Sequence, residues 1–513
     1  MRRALSGLLS AIVIAMFVAL QLGCLASGPP GGAGPATGTL YLYPERIPLQ
    51  DGTFVKAERG IMFVPLKRSD PRSAAIGVEV YRFRALDPGA AKTPPIFLLH
   101  GGPSFQGLAG PLEQPGFYER TILPYLQVAD LVVVGQRGIG SSKPTTIIED
   151  PKLFPLDAEV SEEDAAAALR EACSRGKAFW QAQGLDLAGF TVIEAAEDVN
   201  DVRKALGYGT ITLWGGSFGS HWAMAVMRHH PEIVARAVLR GMEGPDHTYD
   251  MPSYVLNALT RIAAAADQAP ELKGLIPPGG LIEAFKTVIA RAADKPVRVA
   301  VSDPRSGGMQ TVVFTARDVR DMALGYTGSV SSRRGMSTWP GDVLALYSGD
   351  FSKAAAVAIR RRQSPVHATA SFFMLDCASG ISPQRAARLK TDPAVEVLGP
   401  LGWEYQVGCP VWQIDLGDEF RKNFETSIPT LIAQGTWDVS TPMENALELA
   451  PFFKNSRLVL INGGSHNSLQ DGMDSSEEFR SAVMKFAATG DTNDLPKEVN
   501  LPPVAWVVPG KER

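Results

Sequence analysis

Ser217 lies at the centre of the sequence Gly215-Gly-Ser-Phe-Gly219, which fits the pattern G-x-S-x-G. The apolar run at 211–214 before it predicts a buried strand, and the run at 220–230 after it predicts a helix. Small residues on both sides of the serine let the backbone make the strained turn that exposes its hydroxyl. This setting predicts that Ser217 is the nucleophile of a serine hydrolase. The alternative is a glycine-rich turn that happens to contain a serine.

A serine hydroxyl is a weak nucleophile unless a base removes its proton and a third group orients that base. Asp438 follows the strand predicted at 430–435, and His466 follows the run at 458–461. Carboxyl ends of parallel strands are where ligand chemistry gathers in open α/β sheets. We therefore expect Asp438 and His466 to complete a Ser-His-Asp triad, although His466 taken alone could be a surface-loop histidine. The acids that lack this placement lie in or beside an inserted segment: Asp376, Asp415 and Asp418.

The loop His100-Gly-Gly-Pro103 follows another apolar run, at 96–99. Glycines in such a loop allow backbone N–H groups to face a developing oxyanion. We expect one N–H from Gly102 and the second from Phe218, the residue after the nucleophile. A phosphate cradle is the alternative, but neither G-x-G-x-x-G nor a P-loop lysine is present.

The elements that must position these residues alternate along the chain. Short β-rich pieces occupy 40–84, and helices are predicted after Ser161 and after Thr191, where Glu194 completes a capping-box pattern. Buried strands are predicted at 96–99, 131–134, 211–214, 237–239, 430–433 and 458–461. Strands alternating with helices predict an α/β fold with a mostly parallel, doubly wound sheet.

A long stretch with helical patterns and few strand-like runs separates the last two predicted strands from the others. It includes the helical pieces 281–292 and 351–362 and predicts a cap inserted between the sixth and seventh strands of the sheet. The predicted organisation is an export segment at 1–25, a flexible tether at 26–39, a core at 40–245, a helical cap at 246–427, a second part of the core at 428–490 and a C-terminal tail at 491–513.

The N-terminal segment has the pattern of an export signal. Arg2 and Arg3 precede an apolar run at 8–22, and Gly23-Cys24 follows it. This resembles the end of a bacterial lipobox, in which Cys24 would be lipidated, but Gln21 stands where an aliphatic residue is usual. Cleavage elsewhere and an uncleaved membrane anchor are the alternatives. We expect an exported protein that is periplasmic, membrane-tethered or extracellular.

Composition excludes some classes of partner. Hydrophobic residues make up 45% of the chain and charged residues 20%, and the net charge of −4 gives no indication of nucleic-acid binding. Beyond Cys24 the cysteines are Cys173, Cys377 and Cys409. In an oxidising compartment we expect Cys377 to pair with Cys409, because both fall in the inserted segment; three buried thiols are the alternative. No Cys/His spacing is typical of a metal site, and we expect no cofactor.

Taken together, these motifs resemble the proline iminopeptidase/tripeptidyl aminopeptidase family of the α/β-hydrolases. The resemblance spans about 94–468, and the cap sequences Asp376-Cys377 and Cys409-Pro-Val-Trp412 resemble the cysteine-bearing cap of the tripeptidyl aminopeptidases. Two positions depart from the family: Gly135, where Asp is common, and Ser104, where Gly is common. The core pieces that carry the resemblance are His100-Gly-Gly-Pro103, 135–142, 196–207, Gly215-Gly-Ser-Phe-Gly219, Asp438 and His466.

The resemblance implies that the substrates are peptides or aminoacyl amides attacked near a free amino end. Such enzymes hold the ammonium with carboxylates, and Glu243 and Asp246, just after the strand at 237–239, are the candidates. A solvated loop or a cap hinge is the structural alternative for both. We therefore expect an exported serine aminopeptidase. The competing hypotheses are an esterase on the same triad and a catalytically inactive binding lipoprotein.

Overall fold

The computed structural model describes residues 35–103, 107–150, 154–303, 306–324, 332–363 and 366–510. The predicted export segment, its Cys24, most of the tether and Ser104 lie outside these ranges. The predictions made for them therefore stay predictions. Within the described ranges, no helix combines the length and apolar character needed to cross a bilayer.

Ten strands of the described residues form one sheet, in the spatial order 1-2-3-5-4-7-8-12-13-14. The first three strands pair antiparallel, the third pairs antiparallel with the fifth, and the remaining pairs are parallel. The predicted mostly parallel sheet is confirmed. The strands are β1 (Leu40–Pro48), β2 (Phe54–Pro65), β3 (Ala75–Phe83), β4 (Ile96–Leu99), β5 (Leu131–Val134), β6 (Ile147–Asp150), β7 (Ile211–Gly216), β8 (Val234–Arg240), β9 (Val297–Ser302), β10 (Met309–Phe314), β11 (Val366–Thr369), β12 (Thr430–Gly435), β13 (Ser456–Asn462) and β14 (Glu498–Asn500).

Both faces of this sheet are covered by helices, which explains why its central strands read as continuous apolar runs. In β5, Val132 and Val134 belong to one hydrophobic cluster, whereas Leu131 and Val133 belong to another. Successive side chains of a strand point to opposite faces, so these two clusters lie on the two sides of the sheet. Because apolar side chains are buried on both faces of the sheet, the core is doubly wound.

The helices begin and end close to the predicted signals. Ser161 caps its helix by accepting a hydrogen bond from the Asp164 N–H. Thr191 caps the next helix in the same way through the Glu194 N–H, but the capping box is half formed, because the Glu194 carboxylate binds Arg68 instead. The helices of the described residues are α1 (Ala109–Leu112), α2 (Phe117–Thr121), α3 (Leu123–Leu126), α4 (Glu162–Ala182), α5 (Val192–Ala205), α6 (Phe218–His229), α7 (Pro252–Asp267), α8 (Gly280–Asp294), α9 (Ala316–Ala323), α10 (Arg333–Ser348), α11 (Ser352–Arg362), α12 (Ala370–Ser379), α13 (Pro383–Lys390), α14 (Val395–Leu398), α15 (Trp403–Trp412), α16 (Asp418–Arg421), α17 (Met443–Leu449), α18 (Ser468–Ser475) and α19 (Glu477–Thr489).

The insertion between β8 and β12 carries helices α7 to α16 and has a hydrophobic cluster of its own. It also contains strands that the sequence did not indicate: β9 and β10 pair as a hairpin, and β11 pairs with β6 of the core. Among the described strands of the main sheet, β8 is the seventh and β12 the eighth. The predicted bounds 246–427 lie between these two strands, but the predicted strand number is one too low, because 40–84 contributes three antiparallel strands.

The segment predicted as a C-terminal tail is partly a sheet element. Within 491–513, strand β14 pairs in parallel with β13 and forms one edge of the main sheet. Val499 at its centre is buried and packs with the core side chains of β13. A strand of three residues gives too little periodicity to be recognised from the sequence.

Candidate active site

Ser217 lies between the end of β7 and the start of α6. Its φ of 56° and ψ of −134° are a conformation that residues other than glycine rarely adopt. The carbonyls of Arg240 and Gly241 each accept a hydrogen bond of 3.1 Å from its backbone N–H. A Cβ on Gly219 would lie 2.0 Å from the Leu99 carbonyl oxygen, so α6 can pass β4 only with glycine there. The backbone has the strained turn expected of the motif.

Asp438 and His466 meet at the carboxyl ends of β12 and β13. His466 Nδ1 lies 2.9 Å from Asp438 Oδ2, and the carboxylate is buried. The other Asp438 oxygen accepts hydrogen bonds from the backbone N–H groups of Ser440 and Thr441, at 2.9 and 3.0 Å. Burial acts to raise the pKa of Asp438, but the His466 ring and the hydrogen bonds from Thr441 outweigh it and hold that pKa below its ordinary value. Asp438 is thus ionised and orients the imidazole.

Gly241 lies between the imidazole of His466 and the turn at Ser217 and contacts both. A Cβ on Gly241 would lie 3.1 Å from His466 Cε1, and the carbonyl of the same glycine accepts the Ser217 N–H. Arg240 fixes the other side of the histidine by donating to its backbone carbonyl at 2.8 Å. The structure therefore brings the three predicted triad residues to one edge of the sheet.

The loop after β4 lies against this turn. A Cβ on Gly101 would lie 3.0 Å from Ser217 Cβ, and Gly102 lines the same cavity as Ser217. Gln136 donates to the carbonyls of His100 and Gly101, at 2.9 and 3.1 Å, which fixes the orientation of the loop peptides. Phe218 opens α6, so its N–H has no acceptor within the helix. Both predicted oxyanion donors thus border the serine.

The side chain of His100 is not charged. Burial, with a smaller contribution from Arg240, lowers the pKa of its imidazole to about 3. His100 therefore adds no positive charge to the loop at neutral pH.

Arg137 holds the neighbouring loop in place, and the departure at Gly135 does not disturb it. The buried guanidinium donates two 2.8 Å hydrogen bonds to Asp198 and a third, of 2.7 Å, to the Leu66 carbonyl. A Cβ at position 135 would lie 3.0 Å from the Glu79 carbonyl oxygen and 3.1 Å from Ser142 Oγ. This close packing favours glycine over the family's aspartate.

A cavity of about 330 Å³ opens on Ser217 beneath the cap. Carboxyl and apolar side chains share its wall, and among the described residues that line it none is Lys or Arg. The apolar part includes Val255, Leu401 and Val439. The acids in the wall are Glu243, Asp250, Asp376 and Glu404.

Of the two carboxylates predicted to bind an ammonium, only Glu243 lies in this wall. Asp246 is directed elsewhere: its Oδ2 accepts from Ser382 Oγ at 2.6 Å and its Oδ1 from the Ser382 N–H, so it fixes the start of α13. Its placement corrects the prediction, because two acids three residues apart in a loop need not face the same side. Asp250, Asp376 and Glu404 were missed. The one signal for Asp376 was its position next to Cys377.

Burial is the main influence on the acids of the wall. It raises the pKa of Asp250 to about 7, with Arg385 acting in the opposite direction. It raises the pKa of Asp376 to about 8, opposed by the hydrogen bond from Tyr405 and reinforced by Asp250. The pKa of Glu243 is also raised, by burial and by the charges of Asp376 and Asp250. The wall therefore holds protons near neutral pH that a bound cation would displace.

A disulfide joins the two helices that carry part of this wall. Cys377 of α12 is bonded to Cys409 of α15, whereas Cys173 is a buried free thiol. Asp376 immediately precedes Cys377, and Tyr405 lies one helical turn before Cys409 and donates to Asp376 Oδ2 at 2.5 Å. In the part of the chain that the structure describes, no group of three or more His, Cys, Asp or Glu side chains is arranged to hold a metal ion.

The chain matches two family models, which together enclose the three predicted triad residues. A model described as alpha/beta hydrolase fold matches residues 94–272, and a model described as TAP-like protein matches residues 396–498. The first contains the serine and the second the acid and the histidine. The chain is therefore an α/β-hydrolase, and the predicted fold class is confirmed.

Similar proteins narrow this class. The chain is 23% identical over 464 residues to tripeptidyl aminopeptidase of Streptomyces lividans, covering 79% of this chain and 77% of that protein. It is 28% identical over 148 residues to proline iminopeptidase of Neisseria meningitidis serogroup A, covering 29% of this chain and 32% of that protein. A solved proline iminopeptidase-related protein of Thermus thermophilus superposes with a TM-score of 0.36 at 16% identity, over 85% of this chain and 99% of that one. The protein belongs to the α/β-hydrolase family of the tripeptidyl aminopeptidases and proline iminopeptidases, which confirms the resemblance.

Proposed function

We propose that this hydrolase is an exported serine aminopeptidase that cleaves peptides or aminoacyl amides next to a free amino end. Ser217 Oγ attacks the carbonyl carbon, and His466 takes the serine proton and donates it to the leaving amine. Asp438 orients the imidazole and stabilises its charged form. The backbone N–H groups of Gly102 and Phe218 hold the oxyanion. Water then attacks the acyl carbon while His466 takes its proton, and His466 returns that proton to Ser217 Oγ as the acyl–serine bond breaks and the acid product leaves.

The observation that carries this proposal is the acidic wall of the cavity that opens on Ser217. An ester needs no carboxylates, whereas the ammonium of a free amino end is a donor-only cation that carboxylates accept well. The relatives named tripeptidyl aminopeptidase and proline iminopeptidase support the same substrate class. Export is supported by the sequence of the first 25 residues, in which Cys24 is the proposed site of lipidation.

Labelling with a fluorophosphonate probe tests the nucleophile. The wild-type chain should be labelled, and Ser217→Ala should abolish the labelling. Ser174→Ala is the matched control, because Ser174 is an exposed serine whose hydroxyl bonds only to the Arg170 carbonyl of its own helix. Undiminished labelling of Ser217→Ala would show that another residue is the nucleophile.

A substrate panel tests the class. Ala-, Pro- and tripeptidyl-p-nitroanilides with a free amino end should be hydrolysed, and their N-acetylated forms should be poor substrates. Efficient hydrolysis of p-nitrophenyl acetate with no turnover of any anilide would instead identify an esterase on the same triad. No turnover and no labelling would favour an inactive binding protein.

A further inference from the structure

The cavity beside Ser217 contains more carboxyl groups than one ammonium ion can neutralise. Glu243, Asp250, Asp376 and Glu404 line it, and no Lys or Arg does so among the described residues. Arg385 is the basic residue that acts on Asp250, but it lies outside the wall. Its guanidinium donates to the Tyr249 carbonyl at 3.2 Å and to Glu448 at 3.5 Å. A substrate with a single charge would displace the proton of one of these acids and leave the others without a cationic partner from the substrate.

Three polar atoms in the same wall are buried without a hydrogen-bond partner in the described part of the chain. They are Asp376 Oδ1, His247 Nδ1 and Thr248 Oγ1, and all three residues line the cavity. Asp376 is 3% exposed and His247 is 4% exposed. Buried polar atoms are nearly always paired in native structures, so these atoms indicate that a polar ligand completes the wall.

The protonation of His247 shows which kind of ligand group suits it. Its Nε2 lies 3.1 Å from Glu448 Oε2, and the pKa of Glu448 is held below its ordinary value by hydrogen bonds from His247 and Tyr254 that outweigh burial. Burial lowers the pKa of His247 itself and outweighs the hydrogen bond to Glu448, which favours the neutral ring. A carboxylate only accepts, so the proton is on Nε2 and Nδ1 is an acceptor. Once a bound cation displaces the proton of Asp376, its Oδ1 is an acceptor as His247 Nδ1 is, and the two atoms then both suit a donor-only cation.

The rest of the wall suits an aliphatic chain. Val255, Leu324, Leu401 and Val439 line the cavity together with the Phe372 ring. A lysine side chain combines an apolar stem with a terminal ammonium, and it is stable where its stem packs on apolar surface and its head meets acceptors. An arginine side chain has the same two parts. Such a side chain matches both halves of this wall, whereas a neutral aliphatic one matches only the apolar half.

We propose that the acyl half of the substrate carries two positive charges, the free α-ammonium and a basic side chain within the first residues. This inference rests on the proposed aminopeptidase function and narrows its substrate class to peptides with a lysine or arginine near the amino end. The two cations together give Glu243, Asp250 and Asp376 more positive charge to contact than a single ammonium does.

A matched substrate series tests the proposal with the full-length protein. The probes are tripeptidyl aminomethylcoumarin amides on an alanine background, with lysine or norleucine at each of the three positions. Each is made with a free and with an acetylated amino end. Norleucine keeps the aliphatic stem of lysine and lacks its ammonium. At one position or more, lysine should raise kcat/KM by about 10- to 100-fold over norleucine, the range of a charged hydrogen bond.

The two hypotheses fail differently in this series. Equal turnover of lysine and norleucine peptides at every position, with acetylation still abolishing activity, would overturn the dication and leave the aminopeptidase intact. Turnover that is insensitive to acetylation would overturn the aminopeptidase itself.

Single substitutions locate the second cation. Glu243→Gln, Asp250→Asn and Asp376→Asn keep the shape of each side chain, and at least one should lower the lysine-to-norleucine ratio about tenfold while the variant still reacts with the fluorophosphonate probe. Asp418→Asn is the control, because it removes an exposed acid of the cap that lies outside the cavity wall. A ratio unchanged in all three wall variants would overturn the role of these acids. If a variant no longer reacts with the probe, inhibition of the wild-type enzyme is measured instead. Lysinamide should then bind at least about tenfold tighter than norleucinamide.

Discussion

Replacing Asp376 by asparagine should stabilise the fold at high pH and leave its stability unchanged at low pH. The Asp376 side chain is 3% exposed, and one of its oxygens accepts the Tyr405 hydroxyl at 2.5 Å. Asparagine has the same shape and keeps an acceptor for Tyr405. It removes the charge that the buried site disfavours.

The magnitude follows from linkage between protonation and folding. Burial raises the pKa of Asp376 from its ordinary value of 3.8 to about 8. Between these values the folded state holds a proton that the unfolded state has lost, so the stability contributed by the protonated acid is lost as the pH rises from about 4 to about 8. One pKa unit corresponds to about 1.4 kcal/mol, which sets a ceiling of about 6 kcal/mol above that window. Part of the raised pKa of Asp376 comes from its neighbouring acids, and Glu243 and Asp250 remain in the variant. We therefore expect a gain below this ceiling, of roughly 1–3 kcal/mol.

Urea unfolding of the wild type and the variant at about pH 3.5, below the unfolded-state pKa, and at about pH 9 measures this effect. The difference in free energy of unfolding should be near zero at the lower pH and should favour the variant at the higher one. Asp418→Asn should show no such pH dependence, because that acid is exposed. A variant that is less stable than the wild type at about pH 9, or a gain that is equal at both values, would refute the reasoning.

Three further substitutions test the rest of the site. Asp438→Asn should lower kcat by about 10⁴, because the His466 tautomer is no longer fixed; a loss below tenfold in steady-state assays would contradict the triad. Gln136→Leu should lower kcat by about 10- to 100-fold and leave KM nearly unchanged, because it frees the two carbonyls that orient the oxyanion loop; a change confined to KM would place Gln136 in substrate binding instead. Replacing Cys377 and Cys409 by serine should cost about 3–4 kcal/mol of stability, estimated for a closed loop with a sequence separation of 32, and should raise KM for free-amine peptides. Unchanged urea midpoints and KM values would show that the disulfide supports neither the cap nor its acids.

The sequence by itself determined the class of the protein and the edge of the sheet where its chemistry lies. Three features of the sequence carried this prediction: the periodicity of the strands, the glycines around Ser217, and the positions of Asp438 and His466 directly after predicted strands. Each is visible within a short segment of the chain. The same kind of signal located the caps at Ser161 and Thr191 and the loop that contains Gly102. These features were predictable because each depends on neighbours within a few residues along the chain.

Only the tertiary structure decided which acids face the nucleophile. Asp246 and Glu243 lie three residues apart, yet one fixes a cap helix and the other lines the cavity. Asp376 is distant in sequence from both and reaches the same wall because the cap folds back over the sheet. Side-chain direction in a loop depends on contacts between distant segments, which no periodicity records. The edge strand β14 was missed for a related reason, since a strand of three residues is stabilised by its partner β13 and not by a pattern of its own.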